Sequence, residues 1–155
     1  MPSLVKNDQI VVDPWRIVSK SAPDYQEKVI VPLDQLNAPD TEAVWLSADV
    51  EIEEIVNDLL DLELIAIEFE TFADGRGLSL ATLLRTRYEF KGEIRAFGEL
   101  QPDLTPFMKR SGFDSFVFED AAMAKAALEC MASSTEFYQA SATQPEPSYR
   151  RVKRT

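Results

Sequence analysis

The 155-residue chain contains no histidine and a single cysteine, Cys130. Without histidine, one chain can build no Ser-His-Asp triad, no Cys-His pair and no His-ligated zinc or haem. One cysteine gives neither an intrachain disulfide nor a thiolate-held iron–sulfur cluster, which fits a reducing compartment. Glycine is scarce, with 5 residues, and neither GxGxxG nor GxxxxGK[ST] occurs, so there is no nucleotide fingerprint. No run approaches the ~18 apolar residues of a membrane span, and the start of the chain lacks the basic-then-apolar pattern of a signal peptide. The expected location is therefore cytoplasmic, with no membrane partner.

Basic residues are missing from one long stretch. Residues 29–75 hold no Lys or Arg against thirteen Asp and Glu, whereas residues 76–110 hold seven basic and four acidic groups. The net charge of −11 gives a solvated, solubilising surface or an acidic face that steers a basic partner. Nucleic acid is disfavoured, because phosphate binding needs a basic stripe. Arg150, Arg151, Lys153 and Arg154 follow a polar, Pro-containing run and read as a disordered tail.

What is present is an alternation of strand and helix. Ala43–Ser47, Leu64–Phe69, Ile94–Gly98 and Ser115–Phe118 read as strands, and Val29–Val31 as a fifth. A helix is expected over Val50–Leu60, capped by Asp49, with Ile52, Ile55, Val56, Leu59 and Leu60 on one face. A second helix is expected after Ser79, with Leu80, Leu83, Leu84 and Tyr88 inward. A third runs from Asp103 to Arg110 and stops at Gly112; a fourth runs from an Asp120 cap to Met131, with Cys130 on its buried stripe. Trp15 and Trp45 read as core. Ile10–Val18, broken by Pro14, is an edge strand or hairpin, and Thr135–Gln139 a last strand or extended segment. The expected fold is a single α/β domain over residues 1–139, with a basic tail over 140–155. Its mainly parallel sheet of about five strands carries helices on both faces, Rossmann-like or flavodoxin-like.

Parallel sheets place ligands at the carboxyl ends of their strands, where this chain supplies Asp49, Glu68, Glu70, Asp74, Glu99, Glu119 and Asp120. The segment FETFADGRGLS, residues 69–79, is the most distinctive. Arg76 beside amides at a helix start, with Asp74, Gly75, Gly77 and Ser79, makes an anion site, and Arg85 and Arg95 are further cations for it. The alternative is an Asp74–Arg76 loop staple with glycines at positive φ. Glu68 and Asp74 are the candidates for a Mg²⁺ site supporting phosphoryl chemistry. A third reading is a non-catalytic interaction module.

The runs IAIEFETFADGRGLSLATLLRTRYEFKGEIRAFGEL and MKRSGFDSF resemble the bacterial domain-of-unknown-function 934 family, over about residues 10–139. The resemblance places the family's recurrent polar positions on Asp74, Arg76, Ser79, Arg85, Arg87, Arg95 and Asp114. Genes of this family tend to sit beside the sulfite/nitrite reductase haemoprotein, and its members carry an oxidoreductase label tied to sulfite reduction. It implies an accessory protein of sulfur assimilation that binds a small anion, that haemoprotein or both; a flavin or NADPH enters only through the label. No cofactor motif is identifiable. The chain departs from the family pattern at Glu70 (usually Pro), Glu89 (commonly Gly), Gln101-Pro102 (usually a segment with Arg) and Ser111 (usually Cys).

Overall fold

The computed structural model describes residues 2–18, 28–38, 40–71 and 75–133. Eight strands form one sheet: β1 (Ser3–Lys6), β2 (Gln9–Val11), β3 (Arg16–Ile17), β4 (Val29–Pro32), β5 (Ala43–Ser47), β6 (Leu64–Phe69), β7 (Glu93–Gly98) and β8 (Ser115–Phe118). Four helices accompany them: α1 (Val56–Leu59), α2 (Gly75–Thr86), α3 (Thr105–Ser111) and α4 (Ala121–Ser133). The strand order is β2-β1-β8-β7-β6-β5-β4-β3. Strands β3 to β8 are parallel, and the antiparallel β1–β2 hairpin closes onto β8.

The order from β3 to β8 never reverses. Each parallel strand is added on the same side of its predecessor, so right-handed crossovers carry every helix to one face. The core divides accordingly. Val44, Leu46, Ile65, Ile67, Ile94, Ala96, Phe116 and Phe118 pack with Val56, Leu59, Leu80, Leu84, Met108, Ala124 and Ala127 of the helices. The alternate residues Ile30, Ala43, Leu64 and Ala66 form a second cluster with Trp15, Ile17, Trp45 and Phe97, and no helix contributes to it.

The second face is concave. Only residues 12–15 join β2 at one edge to β3 at the other. Seven strand spacings of about 4.8 Å would hold the edges of a flat sheet about 34 Å apart. Five extended peptide units reach only about 18 Å. The sheet must curl into a half-barrel whose open side this linker crosses, and Asp13 on the linker reaches Arg95 in the middle of the sheet.

The α/β class is as expected, but the five-stranded, doubly covered Rossmann-like sheet is not what forms. The sheet has eight strands in mixed orientation, helices on one face and no reversal of order, so the crevice of a doubly wound sheet is missing. The expected Val50–Leu60 helix is broken into a 3-10 turn at Ile52–Glu54 and the short α1, with Ile55 at φ −123° between them and no side-chain cap. Its apolar face is nevertheless right: Ile52, Val56 and Leu59 are buried. The α4 stripe buries Ala124 and Ala127, and leaves Cys130 half-buried rather than enclosed. The Asp120 cap is present, accepting the Met123 N–H at 2.9 Å. Gly112 does end α3, at φ 121°. The expectations for Thr135–Gln139 and the basic tail lie outside the described residues, and no described helix is long and apolar enough to cross a membrane.

Candidate functional site

Helix α2 begins at Gly75, earlier than a Ser79 cap would allow. Gly75 and Gly77 are thus helical residues, and neither has positive φ. Gly77 is needed for another reason: a Cβ there would lie 2.6 Å from the Phe69 ring, so its missing side chain lets α2 press onto the end of β6. That contact fixes where the first turn of α2 sits.

Across from this turn runs the loop after β5, and between them lies an open cleft of about 630 Å³. Gly75, Arg76 and Ser79 line one wall; Asp49 and Glu53 line the other; Ile52, Leu80 and Leu83 lie among the remaining lining. The Ser47 hydroxyl donates to Asp49 Oδ1 at 2.5 Å and steadies that wall. Arg76 and Asp49 each take part in an intrachain interaction, so an incoming ion competes for a guanidinium already in use. The cleft stands at the carboxyl ends of β5 and β6, where parallel sheets offer exposed amides and loops. A smaller cleft of about 220 Å³, with Gly98, Glu99 and Glu119 in its lining, opens beyond β7 and β8.

The other candidates do not join Arg76. Arg85 points toward the opposite end of α2, where Nε donates to the Gly112 carbonyl at 3.1 Å and Nη1 to those of Phe90 and Gly92 at 2.7 and 2.8 Å. Its Nη2 pairs with Asp114. Asp114 Oδ2 also accepts the Ile94 N–H at 2.9 Å, yet burial outweighs these partners and raises the carboxyl above its usual range. Arg85 therefore ties loops together.

Arg95 lies on the concave face and is 1% exposed. It donates to both oxygens of Asp13, to Glu93 Oε1 at 3.1 Å and to Ser115 Oγ at 3.3 Å, while Lys6 Nζ bonds Glu93 Oε2 at 3.1 Å. Burial opposes the Glu93 charge, but the Ser115 hydroxyl, Arg95 and Lys6 together hold its pKa below the usual value. Sequence reasoning missed this network. The signal was Glu93-x-Arg95, two charges on one face of an otherwise apolar strand.

Glu68 falls in the same every-second-residue set as Leu64 and Ala66 and so belongs to the concave face, away from the α2 cleft. Asp74 lies outside the described residues. Among the described residues no three acidic or cysteine side chains gather as a metal site.

Neither the curated proteins nor the solved structures contain a significant match to this chain. One family model does match, that described as "Bacterial protein of unknown function (DUF934)", over residues 43–149. The match spans β5 through α4, and with them both walls of the α2 cleft, and it runs past the expected boundary at 139. With more than half of its length aligned, this chain belongs to the DUF934 family.

Proposed function

We propose that this protein is an accessory of assimilatory sulfite reduction that binds a small oxyanion in the α2 cleft and docks on the sulfite/nitrite reductase haemoprotein. The observation that supports it is Arg76 on the wall of a cleft at the carboxyl ends of β5 and β6, one turn before Ser79. The gene neighbourhood implied by the family supports the haemoprotein as partner. The opposite wall refines the ligand. Asp49 and Glu53 repel a fully ionised dianion but accept a hydrogen bond from an oxyanion that retains a proton. Bisulfite has that form, and sulfate at neutral pH does not.

The test is thermal unfolding of the purified chain in the presence of sulfite, sulfate or phosphate. Sulfite is expected to raise the midpoint more than sulfate does, and Arg76→Ala to abolish the gain while leaving unliganded stability within about 0.5 kcal/mol. Co-purification with the reductase haemoprotein is expected as well. A sulfite response that survives Arg76→Ala, or none in the parent chain, overturns the anion half of the reading. Failure to co-purify overturns the docking half.

A further inference from the structure

On the concave face Lys6 and Arg95 are matched by Glu93 and Asp13, whose bonds to them leave that group of charges compensated. Glu68, on the same face, is not matched. It is half-buried, and its carboxylate has neither a hydrogen-bond donor nor a cation among the described residues. We infer that the carboxyl end of the concave face, around Glu68, is a docking surface for an arginine side chain of a partner polypeptide.

The register sets Glu68 beside Phe97 on one neighbouring strand and Ser47 on the other. The Ser47 hydroxyl donates to Asp49, so it is not a partner of Glu68. Over β6, where Ala66 offers only a methyl group, the rings of Trp45 and Phe97 meet edge to face, with centroids 6.0 Å apart and planes at 86°. Such a pair covers one ring face, and both residues are half-buried, so aromatic surface stays in reach of solvent. The Trp45 ring is held in place by Nε1, which donates to the Val18 carbonyl at 3.0 Å. A ring of this same cluster already takes a cation: Lys28 Nζ lies 4.8 Å from the Trp15 ring centroid while pairing with Glu63.

A carboxylate beside aromatic rings selects a guanidinium among cations. Its planar fork donates two parallel hydrogen bonds to one carboxylate, and its face stacks on a ring. An ammonium is a point charge without that plane, and a quaternary ammonium has no N–H for Glu68. The source is a polypeptide rather than free arginine. The free amino acid brings its own carboxylate to a rim where exposed Glu70 follows Glu68, on a chain of net charge −11. In a polypeptide that carboxylate is an amide. No described helix contributes to the cluster on this face, which leaves room for a partner segment.

Nitrogen–proton correlation spectra of the full chain test the surface, because its two tryptophans, Trp15 and Trp45, both stand on the concave face and report through their indole N–H signals. The probe is a blocked pentapeptide with one arginine between glycines, titrated at constant ionic strength. Peptides with citrulline or lysine in its place, free L-arginine and tetramethylammonium are the comparisons. The arginine peptide is expected to shift the Trp45 signal saturably, with half-saturation below about 20 mM, and each comparison to be at least about threefold weaker. Glu68→Gln, close in size to the parent residue, is expected to weaken the peptide about tenfold with the dispersion of the spectrum retained. Glu129→Gln, on the exposed side of α4, removes the same charge and is expected to leave the titration unchanged. Arg76→Ala is expected to leave it unchanged as well, which separates this surface from the α2 cleft. No saturable shift by about 50 mM, citrulline equal to arginine, or an unaffected Glu68→Gln overturns the inference. Free arginine equal to the peptide overturns the polypeptide source, and lysine or tetramethylammonium equal to arginine overturns the choice of guanidinium.

Discussion

Arg95 donates through the single nitrogen Nη1 to both carboxylate oxygens of Asp13, each at 2.8 Å, across 82 residues of sequence. One partner stands mid-sheet on β7, and the other on the linker that crosses the open side of the half-barrel. The pair therefore holds the linker down. Removing Asp13 strands a guanidinium that is 1% exposed, with only Glu93 and Ser115 left to it. Asp13→Ala is expected to cost about 3 kcal/mol in urea unfolding, and Asp13→Leu combined with Arg95→Met to recover much of that loss.

The two glycines at the start of α2 are expected to behave oppositely. Gly77→Ala drives a methyl to 2.6 Å from the buried Phe69 ring, at about 1–3 kcal/mol. Gly75 has nothing within 4 Å of an added Cβ, so Gly75→Ala is expected to stabilise by up to about 1 kcal/mol. Thermal midpoints of the two variants decide it, and Phe69→Leu is expected to reduce the Gly77→Ala penalty.

Glu89 has φ 54°, at the position where the family resemblance puts glycine. The chain turns there after α2 so that the Phe90 N–H reaches the Leu84 carbonyl at 2.8 Å. A side chain in this left-handed conformation costs roughly 1–2 kcal/mol. Glu89→Gly is expected to raise stability by about 1 kcal/mol by chemical denaturation.

Arg85 binds three carbonyl oxygens and one carboxylate. Arg85→Lys is expected to destabilise by about 3 kcal/mol despite keeping the charge, because an ammonium cannot span the carbonyls of Phe90, Gly92 and Gly112 together. Equal stability of the lysine variant by urea midpoint would contradict this.

Glu93 gives the pH dependence its sign. Its folded pKa is below the ordinary 4.5, so its contribution is complete above that value and is lost as pH falls through the folded pKa. Asp114 runs the other way: with its pKa raised from 3.8, it costs stability as pH rises through the folded value. Glu93→Gln is expected to cost stability at pH 7, with the difference from the parent chain shrinking in acid. Urea midpoints at a series of pH values measure both trends.

Strand positions were legible because apolar runs of β-branched residues have no helical period: Ala43–Ser47, Leu64–Phe69 and Ser115–Phe118 match residue for residue. The helix faces were legible for the opposite reason, because apolar residues such as Ile52, Val56 and Leu59 do recur at helical spacing. Sheet order was not, because nothing local to Val44 or Ile65 says on which side the next strand is added. The expected hairpin or edge strand over Ile10–Val18 is not one unit: it holds the end of β2, the linker and β3, which lie at opposite edges of the sheet, and the hairpin that forms is β1–β2 before it. Its Asn7-Asp8 tip is a turn signal, but the short Ser3–Lys6 strand before it is weak in isolation. The glycine loop was misread because Gly77 serves a contact with Phe69, residues apart in sequence and invisible to turn rules. Of the cationic candidates, Arg76 keeps its place beside a cleft, while Arg85 and Arg95 take up distant acids and carbonyls that only the fold brings near.

Residues 12–15 act as the string of a bow. Their span, pinned at Asp13 by Arg95, limits how far the eight-stranded limb can straighten. Residues inserted between Asp13 and β3 are expected to lift that limit on the β3 side of Arg95 while the Asp13 anchor keeps the β2 side bent.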